Sequence, residues 1–232
     1  MPAGRAGVMS KPAASAAWSP ASLSGLTVWI DASSAASFTY SSGVVVSQWN
    51  DLSGNGHHFT QSSGSSQPSR SGTQNGLATV VFDGADDYMD TASFTLAQPH
   101  TILMAAKFQN SSSFTNLAGQ GDEYQPIYGA TFLASYAGAG YTIQGGGTFT
   151  SGAHVVTQTV NGASSLSWVD GASAGSGDPG SNGITTGLRL SERALRNYFR
   201  DELYELIVCS GVMSSGDRAT AEAYLKAKWG TP

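Results

Sequence analysis

The chain has 232 residues and a formal net charge of −5, and only 12% of its residues are charged, about half the share usual in soluble proteins. So few charges argue against long solvated helices, whose exposed faces need Glu, Lys and Arg. No basic cluster is present, which argues against nucleic-acid binding. Hydrophobic residues make up 40% of the chain, which is enough for a folded core.

Residues 1–22 are rich in Pro, Ala, Ser and Gly and lack a hydrophobic period, so we predict an extended N-terminal arm ahead of one domain at 23–232. Arg5, Lys11 and Trp18 are the candidate partner-binding residues of the arm. Trp18 is also the candidate anchor if the arm lies back on its own domain. The arm lacks the apolar run of a secretory signal, and no segment approaches the ~20 apolar residues of a membrane span. We therefore expect synthesis in a host cytoplasm and no membrane partner.

From Leu23 onward, short β-prone runs alternate with turn residues. Turn dipeptides such as Asn55-Gly56 and Asp170-Gly171 separate the runs, because Asn, Asp and Gly tolerate a positive φ. The absence of alternating helices predicts an all-β fold, an antiparallel sandwich of two sheets. The predicted strands are 26–31, 44–49, 78–82, 101–108, 127–133, 154–160, 166–169, 187–190 and 202–208.

One short C-terminal helix is predicted. Ser214 and Asp217 have the spacing of a capping box, and an apolar stripe follows at every fourth position. The stripe consists of Ala221, Leu225 and Trp229. Gly230 ends the helix, and we expect Glu222 and Lys226 to form an exposed ion pair one turn apart.

Three blocks of the sequence carry a resemblance to a known fold family: WNDLSGNG at 49–56, FDGADDY at 82–88 and YLKAKWG at 224–230. Together with LTVWIDASSAASF near the start, they resemble the concanavalin A-like lectin/glucanase superfamily in its bacterial and phage laminin-G-like form. The resemblance runs in order from Leu23 to Gly230. It implies a jelly roll of two facing sheets, in a superfamily of sugar binders, glucanases, adhesion modules and virion proteins. Residues from about 109 to 186 match nothing in particular.

Catalytic carboxylates are not visible in the sequence. Glucanases of this superfamily use a Glu-x-Asp-x-Glu run, and this chain lacks one. The nearest run, 201–205, places Asp201 and Glu205 on one strand face, and we expect both to face solvent. His57 and His58 are adjacent and would point to opposite faces of a strand, while Cys209 is expected to be a buried small hydrophobe. We therefore predict that the protein is not an enzyme.

The densest acidic cluster is Asp83, Asp86, Asp87 and Asp90, and the first three are the candidate metal ligands. One interpretation is a Ca²⁺ site, because calcium prefers several oxygen ligands. The other, which we favour, is that these residues cap turns through Asx hydrogen bonds. No cofactor is expected, with Ca²⁺ left open as the alternative.

Several tyrosines lie in the middle of the chain, within the stretch of about 109–186 that matches nothing in particular. Amides and carboxylates lie beside them, a combination typical of sites for sugar rings or protein partners. Alternatively, two or three of the tyrosines fill the core or a subunit interface. The candidate carbohydrate- or protein-binding residues are Asn116, Asp122, Tyr124, Tyr128, Tyr136 and Tyr141.

We expect a non-enzymatic phage protein on the virion surface, either a capsid decoration subunit or a tail or fibre module. Its arm would bind a neighbouring virion subunit such as the major capsid protein, in a homo-oligomeric assembly that also contacts host glycans. A bacterial carbohydrate-binding or adhesion module is the alternative. A glycoside hydrolase ranks third because the catalytic carboxylate run is missing.

Overall fold

The structure is a computed structural model, and it describes residues 18–108, 115–120, 123–129, 132–138, 142–145, 152–191 and 202–232. These described residues form seventeen strands and one α-helix, α1, at Ser215–Trp229. The strands in chain order are β1 Leu26–Asp31, β2 Phe38–Ser42, β3 Val45–Trp49, β4 Phe59–Thr60, β5 Ser69–Gln74, β6 Leu77–Val81, β7 Met89–Thr91, β8 His100–Phe108, β9 Thr115–Gln120, β10 Glu123–Gly129, β11 Phe132–Ala137, β12 Thr142–Gly145, β13 Gly152–Val160, β14 Ser165–Val169, β15 Ala172–Gly177, β16 Arg189–Leu190 and β17 Glu202–Ser210.

The strands form two facing layers. The back layer has the order β15-β14-β13-β8-β17, and β1 pairs with the free edge of β17. The front layer runs β5-β3-β4-β7-β16 with β2 beside β3, and the β5–β6 hairpin joins it to β17 at Glu202 and Leu203. All these strand pairs are antiparallel, which confirms the predicted all-β jelly-roll sandwich.

The variable middle segment forms a separate sheet with the order β12-β11-β10-β9. Strand β9 lies beside β16 at the edge of the front layer, and β12 lies beside β15 at the edge of the back layer. Leu133 on β11 belongs to the common hydrophobic core. The middle segment therefore connects the open edges of the two layers and belongs to the same sandwich.

Aromatic side chains fill the space between the layers and beneath the helix. The largest fully buried ones are Trp49, Phe59, Phe82, Phe108, Tyr204 and Trp229. Cys209 is buried as predicted, and burial raises the pKa of its thiol to about 12, with the charge of Asp217 adding to the effect.

Helix α1 packs against β13 and β8 of the back layer. The Ser214 side chain accepts a hydrogen bond from the Asp217 backbone, and Gly230 ends the helix at φ 63°. These caps and the buried apolar stripe are as predicted. Within the described residues, no helix is both long enough and apolar enough to cross a membrane.

The prediction that Glu222 and Lys226 form an exposed ion pair is wrong. Glu222 is buried, binding Arg218 at 2.7 Å and accepting a hydrogen bond from the Thr157 hydroxyl at 2.8 Å. Lys226 donates instead to the backbone oxygen of Asp170. Both flanks of α1 contact the sheet, so the face expected to meet water meets β13 and the β14–β15 turn.

The last residues of the predicted arm contact the domain. Trp18 packs against the core, with its ring centroid 5.1 Å from that of Tyr224 on α1. Residues Pro20–Ser22 form a 3₁₀ turn in which Pro20 is buried. Arg5 and Lys11 lie outside the described residues.

Candidate functional site

The front layer carries a row of polar residues across five strands. The row contains one residue from each of β2, β3, β4, β7 and β16. Each of these residues is paired directly with the next, and directly paired residues share one face of a sheet. The members are Thr39, Gln48, Thr60, Asp90 and Arg189.

The neighbouring row shows which face this is. Phe38, Trp49 and Phe59 stand opposite one another in the same strands, and all three are buried in the core. The rings of Phe38 and Trp49 lie 5.1 Å apart. Because successive side chains of a strand point to opposite faces, the polar row points away from the core.

A groove of about 450 Å³ lies over the first four members of this polar row, from Thr39 to Asp90, and we call it the polar groove. Its further lining comes from Ser47, Gln61, Ser62 and Tyr88. The Gln61 amide donates a hydrogen bond to the Tyr88 backbone oxygen at 3.2 Å. Hydroxyls and amides, which both donate and accept hydrogen bonds, thus lie beside one aromatic ring.

Asp90 and Arg189 form a bidentate ion pair at one end of the polar groove. Arg189 donates from Nε to Oδ1 and from Nη2 to Oδ2, each at 2.6 Å. The guanidinium also lies 4.5 Å from the centre of the Tyr88 ring. This geometry uses both oxygens of the carboxylate and fixes it in place.

Sequence reasoning named Asp90 as part of the acidic cluster and Tyr88 as part of the family resemblance, but it proposed no groove residue for binding. The available signal was a polar residue beside a buried aromatic in three separate strands, at Phe38-Thr39, Gln48-Trp49 and Phe59-Thr60. Each dipeptide alone is an ordinary half-buried strand. Only the pairing of the strands brings the polar members into one row.

Glu205 of β17 is fully buried, so the expectation that it faces solvent is wrong. Its Oε1 accepts hydrogen bonds from the Trp29 indole at 2.8 Å and the Tyr224 hydroxyl at 3.1 Å. Its Oε2 accepts from Lys228 at 2.7 Å and from the Trp229 indole at 2.9 Å. We call these five residues, with Asp31, the Glu205 network. Asp201 lies outside the described residues.

Lys228 joins the two buried carboxylates of the network. Its Nζ lies 2.6 Å from Asp31 Oδ2 and 2.7 Å from Glu205 Oε2. Burial raises the pKa of Glu205, and Asp31 raises it further against the opposing effect of Lys228. Burial alone would lower the pKa of Lys228, but the Glu205 charge and the hydrogen bonds to both carboxylates raise it overall. Helix α1 covers this face of β17, which is why Glu205 is interior.

The Trp49–Gly56 block of the family resemblance forms a loop around the Asp51 carboxylate. Asp51 accepts hydrogen bonds from the backbones of Trp29, Ser53 and His57 and from the Ser53 hydroxyl. His58 Nδ1 accepts one from the Asp51 backbone at 3.0 Å. The block therefore contributes to the fold by tying this loop to β1.

Asp83, Asp86 and Asp87 place one carboxylate oxygen each within 4.8 Å of one another. Asp83 Oδ1 accepts hydrogen bonds from three following backbone N–H groups, and Asp87 Oδ2 accepts one from the Asp83 backbone. Asp86 accepts from the Ser66 hydroxyl. These are the turn contacts of the favoured interpretation, and a Ca²⁺ site stays the alternative prediction.

Three of the predicted tyrosines, Tyr124, Tyr128 and Tyr136, lie on strands of the middle sheet. In the backbone register, Tyr124 stands opposite Tyr136, and Tyr136 is half-buried. Asn116 on β9 and Tyr128 on β10 lie on neighbouring strands of the same sheet. Outside the described residues lie Asp122 and Tyr141. A binding role for these residues stays a prediction.

No family model matches the chain, and no curated protein matches its sequence. Solved structures do match its fold. Domain 4 of AbnA, a GH43 extracellular arabinanase from Geobacillus stearothermophilus, was solved in complex with arabinotriose and has a TM-score of 0.61 at 14% identity, covering 85% of this chain and 98% of that domain. The binding domain of Paraclostridial Mosquitocidal Protein 1 has a TM-score of 0.60 at 14% identity, covering 90% of this chain and 55% of that one.

Trypanosoma rangeli sialidase has a TM-score of 0.59 at 14% identity, covering 88% of this chain. The chain spans only 33% of the sialidase. All of these proteins share a β-sandwich with this chain. The expected resemblance is therefore confirmed at the level of the fold, and its bacterial and phage type stays a prediction.

Replacing Glu205 by Gln removes one charge from the Glu205 network while keeping the shape of the side chain. Lys228 then keeps only one carboxylate, and an amide N–H₂ group faces several donors, so we expect a loss of about 3 to 5 kcal/mol in the free energy of unfolding. The matched control is Glu202→Gln on the same strand, whose carboxylate is partly exposed. Urea denaturation measures both variants, and equal stabilities would contradict the role of the network.

Asp87 gives the fold a defined pH dependence. Burial raises its pKa from 3.8 to about 6, the backbone hydrogen bond to Asp83 opposes the shift, and the charges of Asp83 and Asp86 add to it. Folding therefore binds a proton between these values, and stability from this group is present below about pH 4 and is lost as the pH rises through 6.

Asp87→Asn removes this titration. Relative to the unmodified protein, the variant should gain roughly 1 to 2 kcal/mol of stability between pH 4 and pH 7. Chemical denaturation across that range measures the difference, and a difference independent of pH would show that Asp87 titrates normally.

Proposed function

We propose that this domain is a carbohydrate-binding module and that its ligand lies in the polar groove. The observation that carries the proposal is the row of outward polar side chains across five strands, beside the Tyr88 ring. Sugar hydroxyls need such donors and acceptors, and the apolar face of a sugar ring packs on an aromatic ring. The complex of AbnA domain 4 with arabinotriose supports the proposal, because that domain shares this fold.

The proposed module binds its ligand without cleaving it. Hydrolysis by the usual glycosidase mechanism uses two carboxyl groups on either side of the scissile bond. Among the described residues lining the polar groove, Asp90 is the one carboxylate, and Arg189 holds both of its oxygens. Glu205 is sealed beneath α1, where a saccharide has no access.

Tyr88→Ala should weaken saccharide binding at least tenfold, or about 1.4 kcal/mol, because the ring is lost from the polar groove. Gln48→Ala should weaken it as well, without touching the contact of Arg189 with Tyr88. The matched control is Tyr40→Ala, since Tyr40 is exposed and outside the groove lining. Isothermal titration calorimetry with a panel of oligosaccharides that includes arabinotriose measures the affinities. The proposal fails if both groove variants bind like the control.

A virion surface role is our second proposal, in which the arm binds the major capsid protein or another virion subunit within a homo-oligomeric assembly. The weakly charged surface and the position of Trp18 support it. Trp18 packs on Tyr224 of α1, on the back layer, so the chain enters the domain away from the polar groove. Arm and groove can therefore be occupied together.

Deleting residues 1–17 should abolish incorporation into particles and leave the fold intact, because Trp18 and its contact with Tyr224 are kept. Occupancy on purified particles measures incorporation, and circular dichroism checks the fold. Incorporation of the truncated protein at the level of the full chain would contradict the arm's role.

A further inference from the structure

The charge of the polar groove indicates which saccharides it takes. The described lining consists of hydroxyls, amides and the Tyr88 ring, with Asp90 as its carboxylate. Arg189 engages both oxygens of Asp90 at 2.6 Å, and the pair is only about a quarter exposed, with 24% and 28% of the two side chains accessible. The negative charge and its positive partner thus cancel within one rigid contact.

We infer that the polar groove selects neutral saccharides over acidic ones and that Asp90 is the residue that sets this selectivity. The inference rests on the proposed carbohydrate binding. Asp90 lies near one end of the polar row, between Thr60 and Arg189 in register. Its carboxylate keeps the guanidinium from acting as a receptor for an anion.

A uronic acid or a sialic acid brings its own carboxylate. In the polar groove this carboxylate meets Asp90, which repels it, and a guanidinium already bound bidentately. Bidentate capture of the ligand would require breaking two charge-assisted hydrogen bonds. A neutral sugar has no such conflict, because its hydroxyls would bind the Gln48 amide and the hydroxyls of Thr60 and Ser62.

The test compares two probes of similar length, arabinotriose as the neutral one and trigalacturonate as the acidic one. The unmodified protein should bind the neutral probe at least tenfold more tightly. Asp90→Asn makes the groove more positive by one charge whatever else Arg189 contacts, and it keeps the shape of the side chain. In this variant the ratio of the affinity for arabinotriose to the affinity for trigalacturonate should be at least fivefold lower than in the unmodified protein. Rising salt should reduce this difference between the two proteins.

Glu202→Gln is the control, since it changes the net charge equally but lies outside the groove lining. It should leave the ratio of the two affinities unchanged. Preference of the unmodified protein for trigalacturonate, or an unchanged ratio in Asp90→Asn, overturns the inference while leaving carbohydrate binding in place. If neither these two probes nor the wider panel binds the unmodified protein, the proposed function itself fails.

Discussion

The ion pair of Glu205 and Lys228 holds together parts of the chain that are far apart in sequence. Glu205 lies on the last strand, Lys228 on the C-terminal helix, and the Trp29 indole reaches Glu205 from β1 across 176 residues. Two buried carboxylates and one ammonium are costly to desolvate unless hydrogen bonds satisfy them. Four donors do so for Glu205, one of them the Lys228 ammonium.

The Glu205 network determines which part of the back layer is covered by α1. Because α1 must lie over β17 to deliver Lys228 and Trp229, it covers the outward face of the sheet at that point. Trp18 packs against Tyr224 of the same helix, so the end of the arm also contacts the domain at this face. The front layer has no such helix among the described residues, so its outward polar row remains open to a ligand.

Local features were predictable from the sequence and long-range ones were not. The capped helix, the strands and the turns follow from signals within a few residues of one another. The burial of Glu205 does not, because its partners Trp29 and Lys228 lie on other elements and the run 201–205 contains three carboxylates. The row from Thr39 to Arg189 likewise depends on the register of five strands. The residues of a single strand do not determine how it pairs with the other four.

The low charge of the chain has a structural explanation. Several of its few ionic groups form partly buried pairs, as in Glu205 with Lys228, Glu222 with Arg218 and Asp90 with Arg189. Hydroxyls and amides supply the polar groups of the open front layer instead. Such a surface is consistent with the proposed binding of uncharged polar ligands.

The most direct test is to map a bound saccharide on the folded protein by nuclear magnetic resonance. A titration with the tightest-binding oligosaccharide of the panel should shift the backbone amide signals of Thr39, Gln48, Thr60 and Asp90, and leave those of α1 unchanged. Saturable shifts confined to α1 or to the β14–β15 turn, with the polar row unchanged, would contradict the account.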